Sequence, residues 1–148
     1  MSFIMETPKN IEDLVKDANR KHSWKIRLSA LNELKKYDCR QSRDVITRLA
    51  LHDKVYKVKE EAVRAAQAFG ITKNGKPIFL GKKDIGYKAS DFTKLFQRIK
   101  REKKMEDFDL KIFKETFEIL NPEMLDVMSF EKGNKLDDWI QKTFSGLP

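Results

Sequence analysis

An all-α fold built from stacked helical hairpins is what this sequence predicts, on three observations. The stretch Trp24-Lys-Ile-Arg-Leu-Ser-Ala-Leu aligns with Tyr56-Lys-Val-Lys-Glu-Glu-Ala-Val, 32 residues further on; upstream, Leu14 and Ala18 fall over Ile46 and Ala50. A period of roughly 20–50 residues filled with helical patterning marks arrays in which each hairpin buries its apolar face on the next. Apolar residues recur at i, i+3, i+4 and i+7 through most of the chain. The six Gly and four Pro fall mostly between 70 and 86 or after 121, leaving long uninterrupted stretches for helices.

Residues 10–20 read as the first helix. Asn10 stands at its start, Glu12 and Asp13 complement the dipole in the first turn, and Ile11, Leu14, Val15 and Ala18 share a face. The second spans 23–36. Its expected buried stripe is Trp24, Leu28, Leu31 and Leu34, with Ala30 where another helix approaches closely and Lys25, Arg27, Lys35 and Lys36 outside. The third, 42–51, carries Val45, Ile46, Leu49 and Ala50. The fourth, 54–69, carries the small helix formers Ala62, Ala65, Ala66 and Ala68 and stops at Gly70.

Within this half, Asp53…Val58-Lys59-x-x-Ala62 resembles the Asp…Val-Arg-x-x-Ala signature of HEAT-type repeats, as does Ile26-Arg27-x-x-Ala30-Leu31. The resemblance covers residues 10–70, two repeats, and the chain departs from it at Lys21-His22-Ser23, where the signature has an Asp. It implies an α-α superhelix in which the Asp and Arg bridge successive repeats and the Ala admits close helix contact. Arg27 matches the bridging position directly; Lys59 matches conservatively, since an ammonium lacks the planar fork of a guanidinium.

Residues 71–89 break the helical pattern. Asn74-Gly75 is a turn signal between Ile71 and Pro77-Ile78-Phe79-Leu80, so a short β-hairpin or irregular connector is expected, with Pro77 confining any strand to an edge. Residues 90–148 return to helices. Ser90 stands at the start of one with Phe92, Leu95, Phe96 and Ile99 inward. Asp109 precedes another with Leu110, Phe113, Phe117 and Leu120 inward. Asn121-Pro122 opens a short one using Leu125 and Met128, and Asn134 stands before a last one using Leu136, Trp139, Ile140 and Phe144. Two repeats cannot close a core alone, so this aromatic-rich end is read as a divergent helical cap. The expected organisation is one helical domain, 1–148, with repeats at 10–70, a basic connector at 71–89 and a cap at 90–148.

Several classes of chemistry find no motif. The single Cys39 excludes an intrachain disulfide, and with no signal-peptide pattern a cytoplasmic location is the expectation. No run approaches the ~18 apolar residues of a membrane span. His22 and His52 lie near turns without metal-ligand spacing, so neither metal nor cofactor is expected. Gly75 to Lys83 superficially resembles a phosphate loop, but has five residues between its glycines and Lys83 where the magnesium ligand belongs. Cys39 would be reactive only if Arg40 and Arg43 lowered its pKa. The adjacent Asp137-Asp138 point about 100° apart on a helix and serve its first turn.

The remaining reading is a non-catalytic binding or scaffold module, not an enzyme. Its expected partner is an unidentified protein held on the repeat surface by Arg20, Arg27, Lys57 and Lys59, with Trp24 and Tyr56 joining them if exposed and otherwise packing in the core. Net charge is +8, but residues 71–104 carry 11 basic and 3 acidic side chains against 5 and 10 in residues 105–148. That asymmetry raises the alternative of nucleic-acid binding through Lys82, Lys83, Lys88, Lys94, Arg98, Arg101 and Lys104, with Phe79 and Tyr87 available for stacking on bases.

Overall fold

The computed structural model describes residues 2–148 and is mostly helical, in the order α1 (Ile11–Ala18), α2 (Trp24–Leu34), α3 (Arg40–His52), α4 (Tyr56–Ala68), β1 (Thr72–Lys73), β2 (Lys76–Pro77), α5 (Ala89–Glu102), α6 (Leu110–Leu120), α7 (Pro122–Lys132) and α8 (Leu136–Ser145). A 3-10 turn, Gly133–Lys135, joins the last two. The chain falls into two compact units, Met1–Ile85 and Gly86–Pro148. The boundary lies inside the connector, so the β-hairpin belongs to the same unit as the first four helices.

In the first unit α1 packs on α2 and α3 on α4, while α1 also meets α3 and α2 meets α4. This is the stacking of one helical hairpin on another. Ala30 and Ala62, at equivalent places in the two hairpins, are 4% and 0% exposed, and their small side chains let the helices approach. Leu31, Leu34, Ile46, Val55 and Val58 are fully enclosed around them. The start of α2 is capped by Ser23, whose hydroxyl accepts from the Ile26 N–H. α4 ends in a Schellman motif: Ile71 N–H donates to Ala66 O and Gly70 N–H to Gln67 O, with Gly70 at φ +68. Asn74 (φ 54) and Gly75 (φ 77) both take left-handed backbone, the geometry of a type I′ turn, and pair Thr72 with Pro77 and Lys73 with Lys76. The segment before α1 adds an unexpected contact. Ile4 bridges to Tyr37 in parallel, with Ile4 N–H donating to Lys36 O and Asp38 N–H to Ile4 O.

The buried stripe of α2 is Arg27, Ala30, Leu31 and Leu34, not the expected Trp24, Leu28, Leu31 and Leu34. Both sets obey helical periodicity. Arg27 wins the core place because its guanidinium finds acceptors there and its methylene stem is apolar. Trp24 and Leu28 are consequently left half-buried.

The second unit is built on aromatic rings. Phe96 of α5 lies 4.7 Å from Phe113 and 5.7 Å from Phe117 of α6, and 5.5 Å from Trp139 of α8, in edge-to-face arrangements. Phe144 closes on Phe108 and Phe113 at 4.9 and 5.9 Å. Such pairs add about 0.5–1.5 kcal/mol each beyond the burial of their area. Caps follow the sequence in two places: Asp109 accepts from Ile112 N–H and Asn121 from Met124 N–H, with Pro122 at the first position of α7. They depart from it in two others. α5 begins one residue before Ser90, and its first turn is closed by Asp91, which accepts from Lys88 N–H. Asn134 sits inside the 3-10 turn, so α8 starts without a side-chain cap. α7 buries Met124, Val127 and Met128, and leaves Leu125 half-buried.

Candidate functional site

The first unit places two tied residues where the sequence suggests a surface. Arg27 Nε donates to Asp53 Oδ2 at 2.9 Å and Nη2 to Oδ1 at 3.2 Å, while Nη1 donates to the Arg20 carbonyl at 2.7 Å. The two side chains are 10% and 4% exposed. Asp53 Oδ1 also accepts from Val55 N–H at 2.9 Å, fixing the entry to α4. This bidentate pair joins the first hairpin to the turn of the second. Arg27 is therefore committed internally and drops out of the interaction set. Arg48 lies nearby with its Nη2 buried and lacking an acceptor among the described residues; burial lowers its pKa, and the Asp53 charge partly offsets this.

The other predicted surface residues are accessible in different degrees. Arg20 is exposed and 3.4 Å from Asp17. Trp24 is half-buried, with the Lys25 ammonium 5.7 Å from its ring centroid. Tyr56, at the equivalent position of α4, is also half-buried, under the Lys83 ammonium at 6.0 Å. Lys57 is 3.3 Å from Glu61, and Lys59 is half-buried.

The periodicity did not anticipate a groove of about 540 Å³ along the outer side of α2. Trp24 and Leu28 form its apolar part; Lys25, Ser29, Asn32 and Lys36 border it. Lys36 Nζ donates to Glu33 at 2.9 Å, a contact that raises the lysine pKa.

The basic segment is divided. Lys82 and Lys83 belong to the first unit, and Lys88, Lys94, Arg98, Arg101 and Lys104 to the second. Arg98 is neutralised within α5 by Glu102 at 2.9 Å. Lys88, Lys94, Arg101 and Lys104 are exposed. Lys100, Arg101 and Lys104 line a second cleft, of about 780 Å³, at the C-terminal end of α5. None of the three has an ion-pair partner among the described residues. Phe79 is 73% exposed, whereas Tyr87 is half-buried with its ring 6.1 Å from Phe92.

Cys39 is buried and donates to the Ser42 hydroxyl at 3.3 Å. The neighbouring Arg43 is held by Asp38 through contacts of 2.7 and 3.0 Å, a pair the sequence reading passed over. That hydrogen bond holds the Asp38 carboxyl below its ordinary value and raises Arg43. Among the described residues no group of three or more His, Cys, Asp or Glu is placed to hold a metal, and no helix is long and apolar enough to cross a membrane. Compared with protein-family models, curated proteins and solved structures, the chain matches none.

Proposed function

We propose that the chain is a HEAT-like, non-catalytic binding module that holds a partner protein on the outer surface of α2 and the adjoining start of α4. The observation that carries this reading is the Trp24–Leu28 groove. An indole and a leucine stay half out of the core because Arg27 occupies the buried stripe. Interfaces draw most of their affinity from such part-buried aromatic anchors ringed by polar side chains. Tyr56 offers a second ring at the matching position of α4, flanked by Lys57 and Lys59. The Arg27–Asp53 pair supports the repeat architecture, since it is the bridging contact that the HEAT signature implies.

A photo-crosslinking residue at Ser29, inside the groove, is the test, with Gln41 of α3 as the control position. Ser29 is expected to capture a discrete polypeptide that excess unlabelled chain competes away. The double variant Trp24→Glu, Leu28→Glu is expected to compete at least about tenfold less well, since a central anchor contributes about 2 kcal/mol or more. Equal capture from Gln41, or unimpaired competition by the double variant, sinks the reading.

A second reading, nucleic-acid binding through the basic segment, is favoured by one observation. Lys100, Arg101 and Lys104 bring positive charge to one cleft without ion-pair partners among the described residues.

A further inference from the structure

We propose that the cleft at the C-terminal end of α5 is a nucleotide site: a phosphate ester faces Arg101 and Lys104 while its base or sugar lies against the apolar residues of the same cleft. This inference rests on the second reading above and narrows it to one place and one chemical group.

Gln97, Lys100 and Arg101 stand at i, i+3 and i+4 of α5 and so share one face, and Lys104, just past the helix end, lines the same cleft. The cleft, about 780 Å³, is open to solvent. Lys100, Arg101 and Lys104 line it together with the Glu106 carboxylate. The negative C-terminal end of α5 offsets part of the repulsion among these cations, and a bound anion offsets more. The Lys100 ammonium is additionally placed 5.4 Å from the Phe144 ring centroid, which restrains its long stem. Met105, Leu147 and Pro148 line the same cleft and add apolar contact to its basic side chains. A bare inorganic anion uses only the basic side chains; a nucleotide uses both.

The backbone at Lys104 carries an independent signal. α5 ends in the same Schellman motif as α4, with Met105 N–H donating to Lys100 O at 2.9 Å and Lys104 N–H to Arg101 O at 3.2 Å. In α4 the left-handed position of the motif is Gly70; in α5 it is Lys104, at φ 48. A side chain there is strained where glycine is not. Strain of this kind concentrates at ligand sites, where the surroundings hold a residue in place for what its side chain does.

The experiment uses the whole chain. Fluorescence anisotropy is read on short labelled single-stranded RNA and DNA at ~50 and ~200 mM salt, with adenosine 5′-monophosphate and inorganic phosphate as unlabelled competitors. Direct calorimetric titration with adenosine 5′-monophosphate accompanies it. Strand binding is expected, displaced by the mononucleotide and at least about tenfold less well by inorganic phosphate. Lys104→Gly and Arg101→Glu are each expected to weaken binding about tenfold, the effect of losing one charge-assisted contact. Lys104→Gly carries the sharper expectation, because its Tm stays at or above that of the parent chain while its affinity falls. Direct binding of the mononucleotide without strand binding keeps the nucleotide site and removes the nucleic-acid reading. Strand binding that survives Arg101→Glu and Lys104→Gly but is lost in Lys82→Glu, Lys83→Glu keeps the nucleic-acid reading and overturns this site. Inorganic phosphate competing as well as the mononucleotide, or no binding of either probe, overturns the proposal outright.

Discussion

Replacing Asp53 by Ala removes the carboxylate that ties the two hairpins together, and the cost can be worked from its contacts. Asp53 accepts two hydrogen bonds from Arg27 and one from Val55 N–H. With side chains 10% and 4% exposed, the ion pair is barely screened by water. Deletion leaves the Arg27 guanidinium buried, still donating to the Arg20 carbonyl. It also withdraws the charge that partly offsets the desolvation of Arg48. Breaking a buried pair from one side costs about 3–5 kcal/mol, and loss of the turn hydrogen bond to Val55 N–H about 0.5–1.5 kcal/mol. Because one carboxylate serves both roles the two overlap, and the expected loss is about 4 kcal/mol. Removing both charges tests whether this figure reflects an orphaned cation. In Arg27→Met, Asp53→Asn the methionine fills the space of the arginine stem and the amide oxygen still accepts from Val55 N–H. That double variant is expected within about 1 kcal/mol of the parent. The assay is urea unfolding followed by Trp24 fluorescence in a Trp139→Phe background, which reads the first unit by itself. With an m-value of about 2 kcal/mol/M, a loss of 4 kcal/mol moves the midpoint down by about 2 M. A loss below about 1 kcal/mol for Asp53→Ala, or a double variant as damaged as the single, would refute the reasoning.

Two further outcomes follow from local geometry, besides those at the groove and the cleft. Gly70→Ala places a side chain at φ +68, where no neighbour crowds it but the backbone itself is strained. Thermal melting should show a loss of about 1 kcal/mol, and an unchanged Tm would mean the turn relaxes away from the Schellman geometry. The Asp38 carboxyl titrates below its ordinary 3.8 because Arg43 hydrogen-bonds its charged form. The stability it contributes is therefore fully present above about pH 4 and lost as pH falls through the lowered folded-state value. A carboxyl-carbon NMR titration should place the Asp38 midpoint below 3.8, moving upward in Arg43→Ala; an unmoved midpoint contradicts the assignment.

Local chemistry carried far in this chain, and the physical reason is range. The stop of α4 at Gly70, the Asn74-Gly75 turn, the Asp109 cap and the Asn121-Pro122 start are each decided within a few residues, so the sequence alone determined them. The helical periodicity likewise announced helices, and the repeat announced the stacking of the first two hairpins. Tertiary structure decided which face of each helix is buried. On α2 two stripes satisfy the period, and the choice between them turns on Asp53, 26 residues from Arg27. Charge was legible as a count but not as a surface. The sequence lists Arg98 and Arg101 as equals, yet a glutamate one turn on neutralises the first, and the second lines a cleft that residues 147 and 148 also border. Periodicity is a property of neighbours along the chain, whereas burial and charge compensation belong to partners that only folding brings together.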